Sequence, residues 1–66
     1  MNRAELRAAI ARKDISLRDL AKALGISETS MWMKMKGERE FKESEIRKLA
    51  EILELSAADI NLIFLT

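Results

Sequence analysis

The stretch LAKALGISETSMWMKMKG, from Leu20 to Gly37, decides the fold of this chain. It holds two short segments with apolar residues at helical spacing, joined by a tight turn at Gly25-Ile26. Ala21 is small enough for two helix backbones to approach closely. Gly25 can take the positive φ of a sharp turn, where a Cβ costs about 1–2 kcal/mol. Met31 fills the gap between the helices, which completes the helix-turn-helix pattern.

The composition favours a single all-helical domain over residues 1–66. Pro is absent, Gly occurs twice and aromatic residues make up 5% of the chain, which argues against β-sheet. A domain of this size buries only about 60% of the surface that its unfolded chain exposes. The absence of Cys and His removes disulfides and gives no indication of a metal site or a cofactor. Stability must therefore come from helix packing.

Capping residues predict where five helices begin and end. Asn2, Ser16, Ser27 and Ser56 are the predicted N-caps, whereas Lys42 is a poor one. The first predicted helix starts near Arg3 and ends at Asp14, the second covers Leu17–Leu24, and the third runs from Ser27 to Gly37. The fourth covers about Glu43–Leu53, and the fifth follows Ser56. Helical spacing predicts a core of Leu6, Ala9, Ile10, Leu17, Leu20, Ala21, Leu24, Met31, Met35, Ile46, Leu49, Ala50, Leu53, Ile60, Ile63 and Phe64. Phe41 and Leu55 are expected to fill the core from the connecting loops.

The charge is nearly balanced overall but unevenly placed along the chain. The net charge is +1, which is weak support for nucleic-acid binding because such domains are usually more basic. Residues 1–24 hold six basic and three acidic side chains, whereas residues 49–66 hold acidic ones only. The longest apolar run is far too short to span a bilayer and the N-terminus lacks a signal-peptide pattern. A cytoplasmic location is the expectation.

Several segments carry a resemblance to a known family over nearly the whole chain. They are SLRDLAKALGIS at Ser16–Ser27, Gly37, Glu40-Phe41, and SEIRKLAEILELS at Ser44–Ser56. The chain resembles the phage repressor and Cro-like domains of the lambda-repressor-like, Xre-type helix-turn-helix family. The resemblance implies a compact five-helix, all-α domain that binds operator DNA, usually as a dimer. Helix 3 would read bases, and the starts of helices 2 and 4 would hold phosphates.

The family's DNA-binding positions can be carried over residue by residue. The base-reading positions fall on Glu28, Thr29, Trp32 and Met33, and Lys36 falls near the DNA backbone. The phosphate-side candidates are Arg18 and the Glu38-Arg39 loop. However, base edges are usually read by Arg, Lys, Asn or Gln, and none of these occupies the four base-reading positions. Glu38 also places a negative charge beside the expected phosphate.

The outer face of helix 3 therefore has three interpretations. A helical wheel centred on Met31 turns Lys34 and Met35 inward and places Thr29, Trp32, Met33 and Lys36 on the outer face. In the first interpretation, these four residues form a protein interface, for a partner or a second copy, because Trp and Met are enriched at such surfaces. In the second, the face binds double-stranded DNA as in a transcriptional regulator. In the third, Trp32 and Met33 are partly buried, with Trp32 folded down against helix 1 or the 38–41 loop.

The residues favour the protein-binding interpretation slightly. A Trp buries roughly 150–250 Å², which corresponds to about 4–6 kcal/mol of gross driving force on contact with a partner. The dense Met-Trp-Met-Lys-Met run is also typical of an interface rebuilt by engineering. The hypothesis is a helix-turn-helix scaffold whose outer face suits a protein, with DNA binding as the alternative.

Catalysis is not expected. The chain has no His, Cys or Tyr, no nucleophile and base at usable spacing, and no phosphate-binding glycine loop. Glu38, Glu40, Glu43 and Glu45 form an acidic cluster that is interleaved with basic residues. We expect this cluster to be a solvated ion-pair surface rather than a metal site. No catalytic residue and no small-molecule substrate are therefore assigned.

Overall fold

The computed structural model describes residues 1–65, which form five helices and no strand. The longest of these helices has 11 residues. Along the described chain, no helix has the length and apolar character needed to cross a membrane. The helices are α1 (Arg3–Lys13), α2 (Leu17–Leu24), α3 (Glu28–Lys36), α4 (Glu43–Ile52) and α5 (Ala57–Phe64). The predicted all-α, five-helix, helix-turn-helix-like fold is confirmed.

Four of the helices begin at the predicted N-caps. In each case a cap side-chain oxygen accepts a hydrogen bond from the backbone N–H three residues later, which satisfies a free amide of the first turn. The cap pairs are Asn2 with Glu5 at 3.2 Å, Ser16 with Asp19 at 3.0 Å, Ser27 with Ser30 at 3.0 Å, and Ser56 with Asp59 at 3.1 Å. The start of α4 differs, because there the N–H of Lys42 donates to Glu45 Oε1 at 2.7 Å.

The turn between α2 and α3 has the geometry that its glycine predicts. Gly25 lies in the left-handed region with φ +73°, and the N–H of Ile26 donates to the carbonyl of Ala21 at 3.0 Å. No other group approaches the position that a Cβ on Gly25 would take. The constraint at this residue is therefore its backbone conformation rather than space.

The core lies where α2 packs on α3 and α4 and where α1 packs on α5. The N–H of Asn2 donates to the carbonyl of Ile63 at 2.7 Å, which ties the two ends of the domain together. The predicted stripes supply the buried apolar residues, namely Leu6, Ala9, Ile10, Leu20, Ala21, Leu24, Met31, Met35, Leu49, Leu53 and Ile63. The other predicted core residues, Leu17, Phe41, Ile46, Ala50, Leu55, Ile60 and Phe64, are half-buried at its edge. Phe41 meets Phe64 edge-on, with ring centroids 6.0 Å apart.

Candidate functional site on helix α3

The inner side of α3 is buried as the helical wheel predicts. Met31 and Met35 belong to the core, and Lys34 is buried beside them with 6% of its surface exposed. A buried ammonium needs a partner, because an isolated charge is very costly to move out of water. The partner comes from α4.

Lys34 forms a buried ion pair with Glu45. Lys34 Nζ donates to the two carboxylate oxygens of Glu45 at 2.5 and 2.7 Å, and both side chains are 8% exposed. The same carboxylate accepts from the N–H of Lys42, and the ring of Phe41 lies 6.0 Å from Lys34 Nζ. Burial alone raises the pKa of Glu45, but the hydrogen bonds from Lys34 and Lys42 outweigh it and lower that pKa below 4.5.

The prediction that Glu45 belongs to a solvated acidic cluster is therefore wrong. Glu38, Glu40 and Glu43 are exposed, but Glu45 turns inward because it lies one helical turn before the buried Leu49. That spacing, together with an inward lysine on α3, is a sequence signal for the pair. Along residues 1–65, no three acidic side chains come together as a group that could hold a metal ion.

The outer side of α3 exposes most of the predicted interface. Glu28, Thr29, Trp32 and Lys36 are exposed. Trp32 is 52% exposed, so about half of its surface is covered and it is not part of the core. We call these four residues the exposed strip.

Met33 departs from its predicted outward position because it is half-buried. The chain turns back after α3 at this point, and the N–H groups of Glu38 and Arg39 donate to the Met33 carbonyl at 3.0 and 3.4 Å. The apolar surface that faces solvent on α3 is therefore smaller than the wheel predicts, and Trp32 supplies most of it.

Helix α1 borders one flank of the exposed strip. Trp32 lines an open cleft of about 340 Å³ there together with Ile10, Leu17 and Met35. Arg7 and Lys36 also line this cleft. The cleft thus combines apolar walls with two cations.

The opposite flank and the C-terminal end of α3 carry further cations. Arg39 donates to Ser30 Oγ at 3.4 Å, and Arg3 donates to the carbonyl of Lys36 at 2.9 Å. Arg3, Lys36 and Arg39 line a common cavity of about 570 Å³. Arg3, Arg7 and Arg39 border the exposed strip, and we call these three residues, together with Lys36 of the strip itself, the cationic rim.

The sequence predicted only part of this rim. Lys36 and Arg39 were among the predicted DNA-binding residues, whereas Arg3 and Arg7 were missed because they belong to α1. The excess of basic residues in the first third of the chain is the signal that points to them. Arg18 is exposed on the first turn of α2, next to Leu17, which lines the cleft beside Trp32. At α4, the N–H of Lys42 already bonds Glu45 and is not free for a phosphate.

Comparison with known proteins assigns the chain to a family. A family profile described as "Protein of unknown function (DUF739)" matches residues 3–66. The chain belongs to this family. It is also similar to a cyanate hydratase of Coprinopsis cinerea, with 42% identity over 50 residues, which are 76% of this chain and 33% of that enzyme. The chain thus spans about a third of the length of this curated relative. No solved structure matches it significantly.

Proposed function

We propose that this DUF739 member is a lambda-repressor-like domain that binds double-stranded DNA by presenting α3 to the major groove. The cationic rim is the observation that carries the proposal. An α-helix fits the major groove, and side chains on both sides of such a helix are placed to meet the two phosphate backbones. Arg7 lies on the α1 flank and Arg39 on the opposite flank, with Arg3 and Lys36 at the end of the helix.

The distribution of charge supports a polyanionic ligand. All 12 basic residues of the chain lie before residue 49, and the best-buried of them, Lys34, is neutralised by Glu45. Among residues 1–65, no carboxylate forms an ion pair with any side chain of the cationic rim. Within this part of the chain, the four rim cations are therefore not held in ion pairs, and Glu40 is the one carboxylate that lines the cavity of Arg3, Lys36 and Arg39.

Salt dependence of duplex binding tests the proposal. Each phosphate that a rim cation neutralises contributes about −0.9 to the slope of log K against log salt. Four such contacts give a slope of about −3.6. Fluorescence anisotropy with a labelled mixed-sequence duplex, between about 50 and 200 mM salt, measures it. Failure to bind any duplex at about 50 mM salt contradicts the proposal, because even non-specific binding has this electrostatic term.

Two arginines on α1 provide a matched pair for the same measurement. We expect Arg7→Ala to weaken binding and to make the slope shallower by about 1. Arg12→Ala removes the same charge from the same helix, but Arg12 is not among the residues that line the two cavities beside α3. We expect Arg12→Ala to leave the slope within error of the wild type. Equal effects of the two substitutions would mean that net charge, not the rim, governs binding.

A protein partner is the second candidate, and the exposure of Trp32 beside an apolar cleft favours it. Trp is a frequent anchor of protein interfaces. Trp32 is the single Trp of the chain. If the partner is a second copy, the emission of Trp32 shifts to shorter wavelength as the protein concentration rises. Emission that is constant over dilution, together with steep salt dependence of duplex binding, favours DNA.

We further infer that the chain has no cyanate-hydrating activity of its own. The similarity to the cyanate hydratase covers only 33% of that enzyme. The chain also lacks His, the most frequent general acid–base, and Cys, the most readily ionised nucleophile. Cyanate incubated with the purified chain should therefore disappear no faster than in buffer.

A further inference from the structure

The exposed strip has an unusual composition for a helix that reads DNA. Guanine is usually read by Arg or Lys and adenine by Asn or Gln. Lys36 is the one such side chain on the strip, and it lies at the end of α3 rather than along its middle. The middle of the strip is Trp32, with Thr29 one turn before it. The strip therefore has one side chain suited to guanine, one carboxylate, Glu28, that can accept from cytosine, and one large apolar side chain, Trp32.

The surroundings of Trp32 indicate what this apolar surface contacts. Its cleft has apolar walls from Ile10, Leu17 and Met35, and cations from Arg7 and Lys36 at the same place. This lining suits an anion that also presents an apolar group. Double-stranded DNA meets both conditions in the major groove, where the thymine C5-methyl group projects between two phosphate backbones.

We propose that Trp32 reads 5-methylpyrimidines, so that the domain prefers duplexes that carry thymine methyl groups in the major groove. The proposal rests on the DNA-binding function proposed above and names the chemical group that the site selects. About half of the Trp32 surface is exposed, so an apolar surface is available to cover a methyl group. Thr29 can add a second apolar contact through its own methyl group, a pairing that is known for thymine.

Replacing thymine by uracil removes the methyl group and leaves the base pairing intact. Alternating poly(dA-dT) and poly(dA-dU) duplexes of equal length are therefore the probes, titrated at about 100 mM salt with duplex-induced quenching of Trp32 emission and with anisotropy. One buried methyl corresponds to about a fourfold difference in affinity. We expect the wild type to bind poly(dA-dT) about fourfold or more tightly than poly(dA-dU). Poly(dG-dC) with 5-methylcytosine should be favoured over its unmethylated form by a similar factor.

Two variants assign the preference to Trp32. Trp32→Ala should reduce the thymine-to-uracil ratio to about 1 while circular dichroism shows an intact fold, and Trp32→Phe should restore part of the ratio. Leu65→Ala is the control, since Leu65 is 73% exposed after α5 and should leave the ratio unchanged. Anisotropy reports binding by the variants that lack Trp.

The outcomes separate this inference from the function on which it rests. Equal affinity of the wild type for poly(dA-dT) and poly(dA-dU), with normal salt dependence, overturns the methyl-reading role and leaves DNA binding standing. A ratio that persists in Trp32→Ala overturns the assignment to Trp32. Absence of binding to all four duplexes, combined with binding to an acidic peptide rich in apolar residues, overturns both proposals.

Discussion

The two sides of α3 differ in their surroundings, because the inner side is buried and the outer side faces solvent. On the inner side, Met31 and Met35 are buried in the core, and Lys34 has a partner on α4, Glu45, at 2.5 Å. On the outer side, Trp32 and Lys36 face solvent and are surrounded by cations from other parts of the chain. Nine residues of one helix thus hold the fold together on one side and present a surface on the other. Substitutions on the two sides should therefore separate stability from binding.

The largest effect is expected from breaking the buried ion pair. Glu45→Ala leaves the Lys34 ammonium buried without a partner and removes the acceptor of the Lys42 N–H, so we expect a loss of about 3–5 kcal/mol in the free energy of unfolding. Urea denaturation followed by circular dichroism measures this loss. Glu43→Ala is the matched control on the same turn, because Glu43 pairs with Arg47 at 2.7 Å with both side chains largely exposed. We expect that control to cost at most about 0.5 kcal/mol.

Replacing both partners of the buried pair shows which lost interaction causes the destabilisation. A Lys34→Met, Glu45→Leu double variant removes both charges and keeps an apolar volume, and such replacements are often neutral or stabilising. Recovery of stability in the double variant would show that the cost of Glu45→Ala comes from the unpaired ammonium. A double variant as unstable as Glu45→Ala would instead show that the carboxylate cap on the Lys42 N–H is the main contribution.

The parts of this structure that could be predicted are those that depend on local signals in the sequence. Ser16, Ser27 and Gly25 act through hydrogen bonds or backbone angles within a few residues, so the helix boundaries follow from short segments. The Lys34–Glu45 pair joins two helices across 11 positions of the chain. The periodicity of each helix turns its own residue inward, but only the packing of α3 on α4 shows that the two residues meet.

The candidate site was harder to predict for the same reason. The wheel of α3 identified Thr29, Trp32 and Lys36 as outward, and all three are exposed. It could not show that Arg3 and Arg7 of α1 lie beside them, because that depends on the path of the chain through three helices. The wheel places Met33 outward, but a wheel of one helix contains no information on neighbouring segments, and Met33 is half-buried.

An intermediate effect on the free energy of unfolding is expected from lowering the pH. The folded-state pKa of Glu45 lies below its ordinary value of 4.5, so the unfolded chain takes up this proton first as the pH falls. The ion pair then contributes its full stability above about pH 4.5, and this contribution is lost as the pH falls through the folded-state pKa. Urea midpoints at pH 7 and pH 3 test this, with Glu45→Gln as the reference, because Gln does not titrate there.

The reference variant also removes the influence of other carboxyl groups. The pKa of Asp59 is lowered by its hydrogen bonds to the N–H and hydroxyl of Ser56, and this contribution is present in both proteins. We therefore expect the stability difference between the wild type and Glu45→Gln to shrink between pH 7 and pH 3. A difference that stays constant with pH would contradict a coupled titration of the buried pair.

Two adjacent residues of α3 give the most direct comparison of its two sides, and a small effect on stability is expected from the outer one, Trp32. Met31 is fully buried and Trp32 is 52% exposed. Met31→Ala should cost about 2–5 kcal/mol, whereas Trp32→Ala should cost less than about 1 kcal/mol although it removes a larger side chain. Duplex affinity should show the reverse order once both variants are measured at a temperature where they are folded. A large loss of stability in Trp32→Ala would mean that the cleft beside α1 is part of the core, and the exposed strip would then lose its role as a separate binding surface.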